Sequence, residues 1–124
     1  MVLQLHGTLL STATQRVAVV LKEKHVPYKI ALVRMENGEH KSEEHLKRQP
    51  FGQVPYIDDD GFILFESRAI ARYISTVYHD QGTPLLPSAT DFKATALFEQ
   101  AVSKETSDWN TLAGGISIER VLNP

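Results

Sequence analysis

Gln49-Pro50-Phe51-Gly52-Gln53-Val54-Pro55 places a Val-Pro step at the entrance to a short apolar run, and Phe62-Ile63-Leu64-Phe65-Glu66-Ser67-Arg68-Ala69-Ile70 follows shortly after it. Proline has no N–H and favours strand starts and sheet edges, so the main chain of Val54 is left to pair with something outside the sheet. The step reads either as an ordinary turn into a strand or as a docking edge for an extended peptide; an X–Pro bond can turn cis at a cost of about 0.5–1 kcal/mol, which would present the Val54 N–H and C=O outward. After the turn Asp58-Asp59-Asp60-Gly61, the run Phe62 to Phe65 reads as a strand that stops at Glu66-Ser67. Ile70, Tyr73, Ile74, Val77 and Tyr78 then recur at i, i+3, i+4, i+7 and i+8, the stripe of an amphipathic helix. Ser67 lies in the first turn of that helix, where free N–H groups and the positive end of the dipole attract a carboxylate.

The N-terminal part follows the same strand-then-helix order. Val2 to His6 alternate, Gly7 turns, and Ser11-Thr12 precede a helix with Ala13, Val17, Val20 and Leu21 on one side. Pro27 ends that helix and Tyr28 to Val33 form a second strand. The polar stretch Arg34 to Lys41 leads into a short helical segment from Ser42 to Arg48. The expected order is βαβαββα, an α/β layer with a mixed sheet. Gln81-Gly82-Thr83-Pro84-Leu85-Leu86-Pro87 is bracketed by Gly and Pro, which divides the chain into residues 1–80, a linker at 81–88 and a helical segment at 89–124. Ser88 to Asp91 introduce that last helix, and Ala94, Leu97, Phe98, Ala101 and Val102 form its stripe. It is expected to pass Trp109 to Leu112, weaken at Gly114-Gly115, and resume from Ile116 to Leu122 before Asn123-Pro124.

Composition narrows the chemistry. The chain has 124 residues, enough for one core, and 13 basic against 15 acidic residues, with no basic stripe interleaved with aromatics to suggest nucleic acid. It has no cysteine, so no CxxC redox pair, mixed-disulfide chemistry, structural disulfide or thiolate zinc site can be built from its own residues. The five histidines do not fall at metal-ligand spacings: His25, His45 and His79 read as solvated helix or loop residues, and His6 as structural. Apolar runs such as Val17 to Leu21 are far short of the roughly 20 residues of a membrane-spanning helix, and the chain opens on a strand rather than a leader, so a cytosolic protein is expected.

Four segments together resemble one family. Gly7 with Ser11-Thr12-Ala13-Thr14, Gly38-Glu39-His40-Lys41-Ser42, the Gln49 to Pro55 stretch and Leu64-Phe65-Glu66-Ser67-Arg68-Ala69-Ile70 stand in the order and spacing of glutathione S-transferases of the phi type or their fungal relatives. The resemblance covers residues 1 to 80 and implies a thioredoxin-like, glutathione-binding domain followed by an all-helical domain, of which this chain carries the opening helix. It implies that Ser11 faces the glutathione sulfur, His40 and Lys41 reach the glycyl carboxylate, Gln53, Val54 and Pro55 hold the peptide backbone, and Glu66 and Ser67 hold the γ-glutamyl end. The charges suit such a ligand: Lys41 is a point charge for a carboxylate, His40 a ring donor, and Glu66 an acceptor for an ammonium.

In that reading the Ser11 hydroxyl donates to a thiolate beside a helix N-terminus, while Thr12 caps the helix. Arg16, five residues on and about 140° round the helix, is assigned a structural role. The implied reaction adds the glutathione thiolate to a small hydrophobic electrophile, with reduction of organic peroxides as a side activity and no metal involved. A homodimer is implied too, with Phe51 and the Arg68 to Arg72 face as interface candidates. The alternative is a non-catalytic glutathione- or ligand-binding module of the same fold.

Overall fold

The computed structural model describes residues 1–122, in two compact units that divide between Leu85 and Leu86. In the first, strand β1 (Leu3–Gly7) is followed by helix α1 (Thr12–Glu23), strand β2 (Tyr28–Leu32), two single 3₁₀ turns (Met35–Asn37 and Glu39–Lys41) and the one-turn helix α2 (Glu43–Leu46). Strands β3 (Tyr56–Asp59) and β4 (Phe62–Phe65) and helix α3 (Ser67–Val77) complete the expected βαβαββα order. The sheet order is β2-β1-β3-β4. β1 and β2 are parallel, β3 is antiparallel to β1, and β4 is antiparallel to β3.

Alternation along the strands decides what each face meets. Leu3, Leu5 and Ile57 point to one face and are buried against Val17 and Leu21 of α1 and Ile70 and Ile74 of α3. Gly7, the last residue of β1, lies where α1 passes closest: a Cβ there would stand 2.6 Å from Thr14 Oγ1. Gln4, His6, Tyr56 and Asp58 occupy the opposite face in register, Gln4 beside Asp58 and His6 beside Tyr56. On α3, Ile70 and Ile74 are fully buried as their spacing predicts, but Val77 is 49% exposed. The Tyr73 hydroxyl donates to Asp59 Oδ2 at 2.6 Å, tying α3 to β3, and that bond is the main reason the phenol pKa is pushed up to about 12.

Beyond α3 the chain returns to the end of α1. Lys24, 1% exposed, donates from Nζ to the Thr83 carbonyl at 3.0 Å, and the Thr83 N–H donates to the Glu23 carbonyl at 2.9 Å. In the second unit, Asp91 caps helix α4 (Phe92–Lys104) by accepting from the Ala94 N–H. A π-type turn at Glu105–Trp109 leads into α5 (Asn110–Ser117), and a second π-type segment covers Ile118–Leu122. Gly114 and Gly115 do not weaken the helix into a break as the sequence suggested; each costs about 1 kcal/mol against alanine but keeps its N–H and C=O in the ladder. The expected stop at Asn123-Pro124 lies outside the described residues. Leu97, expected in the buried stripe of α4, is 67% exposed, whereas Ala94, Phe98 and Val102 are partly covered.

Candidate functional site

Strand direction brings the candidate residues to one edge of the sheet. β1, β2 and β4 point the same way and β3 runs against them, so the C-terminal ends of β1 and β4 and the N-terminal end of β3 share that edge, aligned through His6, Tyr56 and Phe65. Gly7 leads from it to Ser11 and α1, Phe65 to Glu66-Ser67 and α3, and Val54-Pro55 enters β3 there. Two helix N-termini therefore open at the same edge, each with unpaired N–H groups and the positive end of its dipole.

Ser11 is the N-cap of α1: its backbone is extended (φ −86°, ψ 124°) and its Oγ accepts from the Thr14 N–H at 3.2 Å. This corrects the assignment of the cap to Thr12, which is already the first helical residue. A hydroxyl has one proton and two lone pairs, so capping uses a lone pair and leaves the Ser11 proton to donate elsewhere. The two roles divided between Ser11 and Thr12 are compatible in one side chain.

At the start of α3, Glu66 holds a positive φ of 73° with ψ 107°, a strained conformation for a residue with a side chain, and its carboxylate is exposed. Ser67 is 5% exposed, and its Oγ accepts from Arg16 Nη1 at 2.7 Å. Here too the hydroxyl proton is left to donate outward. The helix-wheel angle separates Arg16 from Ser11 but says nothing about α3, where the Arg16 side chain holds Ser67, in keeping with a structural role.

Within the 3₁₀ turn before α2, His40 Nδ1 is buried and meets no hydrogen-bond partner among the described residues. A buried, unpartnered ring nitrogen is costly unless something completes it. Lys41 is exposed, with Nζ 3.4 Å from the Phe51 carbonyl. Gly52 makes room for it: φ is +62°, and a Cβ would stand 2.7 Å from Lys41 Nζ and 2.8 Å from its Cδ. Gln53 is exposed, the Val54–Pro55 bond is cis, and among the described residues none hydrogen-bonds to the Val54 N–H or C=O.

His45 departs from the sequence reading. It was expected in solvent but is 6% exposed, with Nε2 2.7 Å from the Gln53 carbonyl and its ring edge-on to Tyr56 at 5.3 Å. Tyr56 in turn stacks on His6 at 4.3 Å between ring centroids. A one-turn helix is too short to show a period, so nothing in the local pattern marked its inward face. His25 and His79 are exposed, in keeping with the reading. Burial is the main cause that lowers the His6 pKa, partly opposed by the Asp58 carboxylate, and burial likewise pushes the Tyr56 phenol up. Among the described residues no group of three or more His, Asp or Glu side chains is disposed to hold a metal.

Known proteins resemble this chain in sequence and in fold. The family model described as glutathione S-transferase, N-terminal domain, matches residues 1–76. The glutathione S-transferase hmp2 of Hypomyces subiculosus is 47% identical over 98% of this chain and 56% of its own length. Among solved structures, glutathione transferase F7 from Populus trichocarpa, of the phi class, superposes with a TM-score of 0.93 at 33% identity, covering 99% of this chain and 57% of that one. A glutathione S-transferase-I bound with the ligand lactoylglutathione superposes with a TM-score of 0.85 at 30% identity, over 98% of this chain and 56% of that one. The chain belongs to the glutathione S-transferase family and carries its thioredoxin-like N-terminal domain. It spans little more than half the length of these relatives.

Proposed function

We propose that this chain is the glutathione-binding half of a transferase that turns the glutathione thiol into a thiolate for addition to small hydrophobic electrophiles, with reduction of organic peroxides by the same thiolate as a side activity. The observation that carries this reading is the Ser11 hydroxyl, whose lone pair caps α1 while its proton remains available at the edge where a second helix also begins. A free thiol titrates near ~8.5, and lowering that by about two units requires roughly 2.7 kcal/mol of preference for the charged form. A charge-assisted hydrogen bond from Ser11 and the α1 dipole together reach that magnitude.

The other contacts follow from ligand chemistry. The unpartnered His40 Nδ1 and the Lys41 ammonium take the glycyl carboxylate. The Gln53–Val54 main chain pairs with the cysteinyl unit, as strand addition would, and leads into Pro55. The Ser67 hydroxyl and the α3 N-terminus take the γ-glutamyl carboxylate, and Glu66 its ammonium. In this reading the protein works in the cytosol as a homodimer, with Phe51, 66% exposed, and the Arg68 to Arg72 face toward the second copy.

The test is an ultraviolet difference spectrum of glutathione mixed with the chain and titrated with pH, since thiolate absorbance reports activation without any electrophile. Thiolate forming well below the free-thiol pKa supports the transferase. Glutathione that binds without ionising overturns thiol activation and leaves the binding module.

A further inference from the structure

We propose that His45 and Gln49 are positioning residues that pre-form the peptide-docking edge; the inference rests on the glutathione reading above and deepens it. Both belong to the segment that begins with α2, neither bears on the reacting atoms, and both are buried, at 6% and 2% exposure. Between them they hold both polar groups of the Gln53 main chain. His45 Nε2 lies 2.7 Å from the Gln53 carbonyl oxygen, and the Gln53 N–H donates to Gln49 Oε1 at 3.4 Å. The same Oε1 accepts from the Phe51 N–H at 2.7 Å. A carbonyl oxygen only accepts, so Nε2 of His45 must carry the hydrogen.

His45 is itself held at its main chain and at its ring. Its main-chain N–H donates to the Ser42 cap, its ring rests edge-on against Tyr56, and Tyr56 is stacked on His6. Gln53 is therefore locked to the outer side of the sheet, and Val54, the next residue, is left with its N–H and C=O uncommitted among the described residues. A loop tied down in this way loses little freedom when a peptide pairs with it, and that is how preorganisation raises affinity. The role accounts for the burial of a polar histidine and glutamine: each is satisfied by the one loop whose shape the ligand needs.

The experiment compares glutathione affinity by calorimetry, and kcat and KM with a small aromatic electrophile wherever turnover is measurable, in the wild-type chain and in His45→Gln, His45→Asn and His45→Leu. Glutamine can place its amide nitrogen where Nε2 stands, whereas asparagine is too short and leucine has no donor. Losing the bond that orders the edge should weaken glutathione binding about fivefold to tenfold in the Asn and Leu variants, with the loss in KM for glutathione and kcat nearly unchanged. The Gln variant should stay within about twofold of wild type. Amide exchange at Gln53, whose N–H donates to Gln49 Oε1, gives a second readout in the unliganded chain, faster in Asn and Leu and restored in Gln. Equal affinity and equal exchange in Asn and Gln would overturn the proposal. A wild-type chain that binds no glutathione would instead overturn the functional reading, and slow exchange at Gln53 that is lost in Asn and Leu would show the edge still held by His45 and Gln49, which distinguishes the two failures.

Discussion

Replacing Gly52 with alanine should separate stability from ligand binding in one substitution. At φ +62° an L residue costs about 1–2 kcal/mol, and alanine recovers roughly 0.4–1 kcal/mol by restricting the unfolded chain, so the net loss is about 1 kcal/mol. For a chain of this size that corresponds to a fall in Tm of about 4 °C. The new Cβ would also stand 2.7 Å from Lys41 Nζ and 2.8 Å from its Cδ, whereas the nearest backbone atom, the His40 carbonyl oxygen, is at 3.1 Å. The flexible lysine is what yields. Displacing its ammonium from an exposed carboxylate contact should cost about 1 kcal/mol of glutathione affinity, close to fivefold. Lys41→Ala should show the same affinity loss with Tm nearly unchanged. Calorimetric titration and thermal unfolding of both single variants and the double variant form a cycle in which the affinity losses must not add, because both act through one ammonium. Additive losses, or a Gly52→Ala chain that binds like wild type while Lys41→Ala does not, would refute the reasoning.

Ser11→Ala should keep most glutathione affinity, return the thiol titration toward its free value and lower stability by about 1 kcal/mol through loss of the N-cap; an unshifted thiolate titration would remove Ser11 from the chemistry. Since burial holds the His6 pKa below its ordinary value, the unfolded chain binds more protons just below that value. Stability should therefore fall as pH drops through the region under about 6.5. His6→Phe, which preserves a ring against Tyr56, should flatten that part of the Tm–pH curve, and an unchanged slope would exclude His6 as the titrating group. Tyr73→Phe should remove the phenol that ionises last in an alkaline absorbance titration; if the highest-titrating tyrosine persists, the Asp59 hydrogen bond is not what holds Tyr73 protonated.

Local chemistry made much of the fold legible. The alternation in β1, the turn at Asp58 to Gly61 and the Ile70–Ile74 stripe of α3 are each decided by residues within one or two turns of chain, and each appears where the spacing puts it. α2 resisted the same treatment, since a single turn carries no period, and His45 was consequently placed in solvent when it is buried against Tyr56. Val77 continued the same helical pattern but is half exposed at the last residue of α3.

The sequence alone determined the order of elements, the Val54-Pro55 step, the two hydroxyl-bearing helix starts at Ser11 and Ser67, and, by lacking cysteine, that these 124 residues offer no thiol of their own. Tertiary structure alone decided which residues support that step and those starts. The Arg16–Ser67 bond joins positions 51 residues apart, and the His6–Tyr56–His45 stack crosses two strands and a helix. Such contacts depend on strand order and on which helices share a face of the sheet, and these are set by burying the whole core at once rather than by any local run of residues.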